Sequence, residues 1–442
     1  MVNCVYFFLF LALPRWAASS EKLTLHVAVK QALQESSTLK KAQALYEQAG
    51  WKKAEAFGSG FLPRMGFSAQ HFFKKKYVFS TMNFSGMNMS FPGMYPRDQF
   101  SVDFTMPIFN GFANIKHYQA ASSMQAALEN EWKQAEFELT QDVRMAFYRA
   151  LAALDLKKVA YQNVTTLEDH LNQVKVQKAG GVATHYDELR IQVQLSEARS
   201  DAMDADDNVE LSREKLNELI GIHKDDREME GFLPVPEDSV LKKVKKLTYS
   251  QGEQKRLDLR ALSLKTQSAH TLSQAQSLWF VPSINLAGQY MLYNAQIYQG
   301  IVINTGNFQP AYNLGVFLRW NLFDGGVSYS VAQQTHYGGV ALEKSLQLLQ
   351  MRAPYDFAYW KRKWISSVER YHWKQLSIRQ SEESVRLARE EQKVGSRTST
   401  EVLDAELDLI RARAGSVNAQ LSSAEAQVRL ELALGRMLDE FI

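Results

Sequence analysis

Two carboxylates follow a glycine turn near the end of the chain. Glu401 and Asp404 come shortly after Gly395 and are three residues apart, so a helix would place both on one face. If several copies surrounded an opening, these side chains would form a ring whose concentrated negative field attracts cations. The alternative is a solvated helix start, where the helix dipole favours acidic side chains. The residues alone leave both interpretations open.

No residue pattern in the sequence predicts catalysis, a cofactor or a metal site. The nine histidines are scattered and Cys4 is the single cysteine, so neither a metal motif nor thiol chemistry is indicated. With 51 basic and 48 acidic residues, the net charge of +3 gives no argument for nucleic acid. We therefore predict a protein that is not an enzyme and uses no cofactor.

The carboxylates are positioned by one of two similar turns. Gly180 and Gly181 in the first half, and Gly395 in the second, are of the residue type that commonly follows a helix C-terminus. Thr184 in the first turn, and Thr398 or Ser399 in the second, are suited to cap the helix that comes next. The sequence therefore predicts two helix reversals at one end of the molecule.

These turns belong to a tandem repeat. Gly181 and Gly395 lie 214 residues apart, and so do two further glycine pairs, 111 with 325 and 221 with 435. A repeat of this length exceeds a solenoid unit and predicts two equivalent halves. The predicted bounds are a signal peptide at 1–18, a first repeat at 19–221 (an entering helix, hairpin 63–109, long helix 112–179, return helix 182–220), a linker at 222–254, a second repeat at 255–435 (an entering helix, hairpin 282–323, long helix 326–394, return helix 398–434) and a tail at 436–442.

The first twenty residues indicate a secretory signal. An apolar run from Val5 to Leu13 precedes small residues, with cleavage expected near Ala17 or Ala18. A buried N-terminal helix is the alternative, because the segment before the apolar run carries no positive charge. No later stretch approaches the roughly 18 apolar residues of a transmembrane helix. Strands would therefore have to carry this chain into a membrane.

Each hairpin is predicted from two segments in which apolar and polar residues alternate. Phe100, Val102 and Phe104, for example, alternate with Ser101 and Asp103. Each segment has about ten residues, the span of a tilted membrane strand. Because four strands with open edges would leave backbone groups unpaired in lipid, symmetric association is expected, and three copies would give twelve strands. A soluble sheet packed on its own helices is the alternative.

The helices between these strands are expected to be long. The stretches 112–179 and 326–394 would each reach roughly 100 Å, and an entering helix at 24–57 plus a return helix would match that length. Two apolar seams are predicted on the return helices, starting at Leu403 and Ala405 in the second half and at Ile191 in the first. Two seams imply neighbours on both sides, as in a closed ring of helices. The helices alone favour an ordinary antiparallel coiled coil, and the strands and the repeat shift the balance towards the ring. Pro354 is expected to kink or interrupt the second long helix. The aromatic cluster after it is expected to pack on 222–254; it consists of Tyr355, Phe357, Tyr359, Trp360 and Trp364.

This arrangement resembles the TolC-like outer-membrane efflux proteins over nearly all of the mature chain. The most specific signals are VGSRTSTEVLDAE from Val394 to Glu406, the strand-ending FNG and FDG, and the LPR and VPS strand starts. The resemblance implies a mostly α-helical fold with a transmembrane β-barrel contribution. Three copies would share a twelve-stranded barrel in the outer membrane of a Gram-negative-type cell, with a helical barrel extending into the periplasm.

The resemblance also implies a function and partners. The homotrimer would be the passive duct of a tripartite efflux or type I secretion system, in contact with outer-membrane lipid. A periplasmic adaptor protein and an inner-membrane transporter would open it at its periplasmic tip. The residues leave one alternative, a structural or adaptor-like periplasmic coiled-coil protein that never enters a membrane.

The same resemblance implies roles for specific residues. Glu401 and Asp404 match acids that line the closed periplasmic entrance, while Arg397 and Asp187 match residues whose bonds hold it shut. Gln392 stands where the family has a gate tyrosine, which puts one such bond in doubt. The turn residues expected to contact the adaptor are Gly180, Gly181, Gly395 and Thr398.

Overall fold

A computed structural model describes residues 22–73, 79–84, 86–92, 96–223, 225, 227–253, 255–295 and 308–438. The predicted signal peptide and the basic run Lys74 to Lys76 lie outside these residues. The elements, in chain order, are α1 (Leu25–Glu35), α2 (Ser37–Phe61), β1 (Arg64–His71), β2 (Phe79–Phe84), β3 (Met87–Pro92), β4 (Pro96–Phe109), α3 (Ala113–Ala179), α4 (His185–Ile220), α5 (Asp238–Lys246), α6 (Ser250–Glu253), α7 (Leu257–Ser277), β5 (Ser283–Ala295), β6 (Gln309–Arg319), α8 (Val327–Lys393) and α9 (Ser399–Leu434).

The predicted repeat is visible in the backbone. α3 and α8 each have 67 residues, and α4 and α9 each have 36. The three predicted glycine pairs all adopt positive φ angles, which only glycine reaches without steric cost. These angles are 66° and 71° at Gly111 and Gly325, 75° and 79° at Gly181 and Gly395, and 81° and 76° at Gly221 and Gly435.

Two local features differ from expectation. The single helix predicted at 24–57 is divided at Ser36, whose ψ of 121° is not helical, and the second part continues to Phe61. Serine competes with the helix for backbone hydrogen bonds, which explains a break between two adjacent serines. Pro354 lies inside α8 without interrupting it, although proline removes one backbone donor.

The residues divide into two units. Of the described residues, the helical unit takes those within 22–40, 135–255 and 355–438, and the sheet unit takes those within 41–134 and 256–354. Each unit takes segments from both repeats. No helix among the described residues is long and apolar enough to span a membrane.

The sheet unit joins the two predicted hairpins into one antiparallel sheet with the order β1-β4-β5-β6. β4 of the first repeat pairs with β5 of the second, with Phe104 opposite Gly288. β5 in turn pairs with β6, with Tyr290 opposite Tyr312. Between β1 and β4 the chain forms a further small hairpin, in which β2 pairs with β3. The alternating segments therefore form the four predicted strands.

The core of the helical unit lies between α3, α4, α8 and α9. Leu167 of α3 packs with Leu195 of α4 and Leu403 of α9, and Ala388 of α8 packs with Val402 of α9. α3, α4 and α9 thus meet in one cluster, and α9 also packs on α8.

The linker packs on the aromatic cluster after Pro354, as predicted. Phe357 and Trp364 are buried against Leu241 and Val244 of α5, and Trp360 is partly buried beside them. The other two aromatic residues of the cluster, Tyr355 and Tyr359, are exposed instead. The linker is therefore a structured part of the helical unit.

Candidate functional site

The candidate site is built by the two helix reversals. In the first, the amide of Gly181 donates to the carbonyl of Lys178 at 3.0 Å, and the amide of Val182 donates to that of Gln177 at 2.9 Å. The left-handed glycine allows these bonds to satisfy carbonyls at the end of α3. The chain can then reverse within five residues, before α4 begins at His185.

The second reversal repeats this geometry. The amide of Gly395 donates to the carbonyl of Gln392 at 3.0 Å, and the amide of Ser396 donates to that of Glu391 at 2.9 Å. Gln392, which replaces the expected tyrosine, therefore contributes its backbone carbonyl to the turn. Equal bonding in both turns confirms the two predicted reversals.

Both returning helices begin with a reciprocal capping box. The Thr184 hydroxyl accepts from the Asp187 amide at 3.2 Å, and the Thr184 amide donates to the Asp187 carboxylate at 2.9 Å. In the second turn, the Thr398 hydroxyl accepts from the Glu401 amide at 3.3 Å, and the Thr398 amide donates to the Glu401 carboxylate at 2.9 Å. These bonds satisfy amides that a helix start leaves unpaired. They confirm both threonines as caps.

The caps also set the ionisation of two predicted site residues. The side-chain hydrogen bond from Thr184 holds the pKa of Asp187 below its usual value. The backbone hydrogen bond from Thr398 lowers the pKa of Glu401 in the same way. Both carboxylates are therefore charged at neutral pH, which a ring of negatively charged side chains around an opening requires.

The structure does not join Arg397 to Asp187 within one chain. The Arg397 Nε lies 2.5 Å from a carboxylate oxygen of Glu391, inside the same turn. Asp404 is 3.6 Å from the guanidinium of Arg190 on α4. All four side chains are substantially exposed. The latch predicted to involve Arg397 and Asp187 stays a prediction about the assembled protein.

A buried ionic cluster near the turns was missed from the sequence. Glu406 of α9 accepts a hydrogen bond of 2.6 Å from the His170 imidazole of α3 and another of 2.6 Å from the Arg389 guanidinium of α8. His170 and Glu406 are almost fully buried, whereas Arg389 is largely exposed. The cluster therefore connects α3, α8 and α9 close to the second turn.

The environment of Glu406 explains its ionisation. Burial would raise the pKa of Glu406, but the hydrogen bonds from His170 and Arg389 outweigh burial and the pKa lies below its usual value. One signal could have revealed the cluster. Glu406 sits between the two apolar seams of α9, at Ala405 and Leu407, where a charged side chain must be buried and needs partners.

The two turns bring several charged side chains close together. The carboxylates of Glu401 and Asp404 are exposed and that of Asp187 is half-buried, and Arg190 and Arg397 lie near them. Among the residues that the structure describes, no group of three or more histidine, cysteine or acidic side chains could hold a metal ion. The chemistry available here is attraction and repulsion between fixed charges.

Solved structures with the same fold are outer-membrane channels. VceC of Vibrio cholerae shares 17% identity at a TM-score of 0.74, covering 94% of this chain and 96% of its own. CmeC of Campylobacter jejuni shares 17% identity at a TM-score of 0.72, covering 93% of this chain and 85% of its own. MtrE of Neisseria gonorrhoeae, solved in its open state, shares 20% identity at a TM-score of 0.70, covering 94% of this chain and 89% of its own. At these identities the likeness establishes the fold.

Sequence comparison identifies the family. Curated protein sequences give no significant match to this chain. The sequence profile of the family described as outer membrane efflux protein, however, matches residues 28–222 and 248–436, which cover both repeats. On this match, the chain belongs to the outer membrane efflux protein family.

Proposed function

We propose that three copies of this chain form the outer-membrane duct of an efflux or type I secretion system. The observation that carries the proposal is the single sheet that both repeats build, in a chain of this family. Its outer strands, β1 and β6, each have one edge without a neighbour among the described strands. Pairing β1 of one copy with β6 of the next would complete a twelve-stranded barrel and leave no edge in lipid.

The surface of β6 supports contact with lipid. Tyr312, Leu314, Val316 and Leu318 alternate along the strand and share one face, and each is more than 60% exposed in a single chain. Apolar side chains on one face of a strand are the expected lipid contacts of a membrane barrel. Family membership argues against the alternative of a periplasmic coiled-coil protein outside the membrane.

The helix reversals are the proposed entrance. Glu401 and Asp404 of each copy would surround the opening at the periplasmic tip, and Arg397 and Asp187 would form a latch between helices of the assembled ring. A periplasmic adaptor would bind the turns that contain Gly180, Gly181, Gly395 and Thr398. An inner-membrane transporter would supply the energy and select the substrates, which the duct passes without reaction.

Conductance across a planar lipid bilayer tests this function. The purified mature protein should form trimers and conduct ions, and Arg397→Ala should raise the conductance by opening the latch. Asp187→Asn should act similarly, because it removes the charge but keeps an oxygen for the cap on Thr184. Arg386→Ala is the matched control, since Arg386 is bound to Glu383 and Glu390 of its own helix.

Two results would count against the proposal. A water-soluble monomer that does not enter lipid would overturn the duct itself. Unchanged conductance in both Arg397→Ala and Asp187→Asn would leave the duct in place but remove the latch.

A further inference from the structure

The small hairpin between β1 and β4 is rich in methionine. Its strands β2 and β3 contain three methionines within eight residues, Met82, Met87 and Met89. The other large apolar residues of 79–92 are phenylalanines and a proline, and no leucine, isoleucine or valine occurs there. Strands usually pack through branched aliphatic and aromatic side chains. Methionine at every aliphatic position therefore indicates a use for the thioether sulfur beyond packing.

The register of the hairpin places all three methionines on one face. Met82 is directly opposite Met89, and Phe84 is directly opposite Met87. Residues opposite each other across an antiparallel pair share a face, and so do residues two apart on one strand. The other face holds hydroxyl and amide residues, which are Thr81, Asn83, Asn88 and Ser90. The thioether residues are thus segregated from the oxygen-bearing ones.

A tight turn fixes this register. Two residues connect Phe84 to Met87, and the second of them, Gly86, has a φ of 88°. Two-residue hairpin loops need a positive φ, which glycine adopts without steric cost. Because loop length and turn geometry determine the register of a hairpin, the pairing of Met82 with Met89 has a local cause.

The spacing of the three positions suits one small ion. The Cβ atoms of opposite residues in an antiparallel pair are about 4.5–5.5 Å apart. Met87 and Met89 are two residues apart on β3, which corresponds to about 7 Å. A methionine sulfur lies two bonds beyond Cβ on an unbranched, flexible chain. Three sulfur atoms from positions so spaced can therefore meet at one point.

The residue types of the hairpin determine which ion would bind. Thioether sulfur is a soft, uncharged ligand that selects Cu(I), whereas imidazole suits zinc and carboxylates suit magnesium, calcium and manganese. Residues 79–92 contain no acidic residue, histidine or cysteine. The hairpin therefore lacks the usual ligands of divalent cations and offers those of a soft monovalent cation.

We propose that Met82, Met87 and Met89 form a three-thioether site for a soft monovalent cation, Cu(I) or Ag(I). The ion enters from solvent, since Met87 is 73% exposed. The hairpin is inserted between the end of β1 at His71 and the start of β4 at Pro96, at the strand ends remote from α2 and α3. The site goes beyond the proposed function, because binding needs neither the latch nor the barrel.

Silver binding to the purified full-length mature protein tests the site. Titration calorimetry should show one tightly bound Ag(I) per chain, which excess Zn(II) does not displace. Met82→Leu, Met87→Leu and Met89→Leu each remove a sulfur while nearly preserving volume. Changes next to metal ligands already cost about 10- to 100-fold in affinity, so each variant should weaken Ag(I) binding by at least about tenfold. The triple variant should lose the tight site.

Met203→Leu is the matched control, because Met203 is a methionine of α4 that is 70% exposed. This variant should bind Ag(I) as the unmodified protein does. Oxidation of the unmodified protein supplies a second readout that does not depend on the folding of a variant. With bound Ag(I), hydrogen peroxide should convert Met82, Met87 and Met89 to sulfoxides several-fold more slowly, whereas Met203 should oxidise at an unchanged rate. Mass spectrometry of the peptides measures each site.

The outcomes separate this site from the proposed function. Unchanged Ag(I) affinity in the triple variant, or equal protection of Met203 from oxidation, would show that the hairpin does not hold the ion. Displacement of Ag(I) by Zn(II) would show that the ligands are not thioethers. If the protein conducts but binds no Ag(I) tightly, the site is wrong and the duct remains. If it binds Ag(I) as expected but forms no conducting trimer, the duct is wrong and the site remains.

Discussion

The two return helices have the same length and the same caps but differ in burial. α9 buries fourteen of its 36 residues, whereas α4 buries eight. α9 packs on α3 and α4 through one cluster and on α8 through another. α4 packs on α3 and α9 and leaves a row of side chains on its other face exposed. Equivalent helices of a repeat are therefore covered to different extents within one chain.

The largest effect that would sharpen this comparison concerns a matched leucine pair. Leu403 of α9 is 2% exposed and packs with Leu167, whereas its equivalent in α4, Leu189, is 46% exposed. Leu403→Ala should destabilise the helical unit by about 2–5 kcal/mol because it leaves a cavity in the core. Leu189→Ala should cost less than about 0.5 kcal/mol in a dissociated chain. Thermal unfolding of detergent-dissociated protein measures both.

The same pair distinguishes the chain from the assembly. In the native oligomer, Leu189→Ala should lower the dissociation temperature if a second copy covers the exposed face of α4. Equal destabilisation by the two variants in the dissociated chain would mean that α4 is covered on both sides without a second copy, and the comparison would fail.

A smaller effect concerns the capping threonines, for which the two helices should behave alike. Thr184→Ala and Thr398→Ala should each cost about 1 kcal/mol, because each removes the acceptor of a first-turn amide. Hydrogen exchange at the Asp187 and Glu401 amides should accelerate in the respective variant. Thr165→Ala, which alters a threonine bonded to the carbonyl four residues earlier in mid-helix, should leave both amides unchanged.

The cap in α9 should depend on pH in a defined direction. The pKa of Glu401 is lowered in the folded protein from its usual value of 4.5. Its contribution is therefore complete above pH 4.5 and is lost as the pH falls through the folded pKa. The destabilisation caused by Glu401→Ala should be greatest at neutral pH and should shrink in acid. A destabilisation that grows in acid would show that the Glu401 carboxylate does not accept the Thr398 amide bond.

The features that the sequence predicted correctly are those with local causes. Gly181, Gly395 and Thr398 act on their own turn, so residue type and spacing were enough to place the reversals, the caps and the long helices within a few residues. Burial of Glu406 depends on His170 from a helix more than two hundred residues earlier, and no local pattern contains that contact. The predicted interruption at Pro354 was wrong, because the helix continues through it, whereas the kink stays a prediction.

The smallest effect tests how closely the two repeats match where strand turns into helix. Gly326 has φ of 82°, and its equivalent Phe112 holds a left-handed φ of 67° despite its side chain. Nothing lies within 4 Å of a Cβ added at Gly326, so Gly326→Ala should cost about 1 kcal/mol from backbone strain alone. The Phe112 ring packs edge-on against Phe109, so Phe112→Gly and Phe112→Ala both lose that contact. The difference in stability between these two variants therefore measures the backbone strain alone. The free energy of unfolding of the glycine variant should be about 1 kcal/mol higher than that of the alanine variant. Equal stability of these two variants would mean that the first repeat abandons the left-handed turn once the ring is gone, and that the ring, not the repeat, holds Phe112 there.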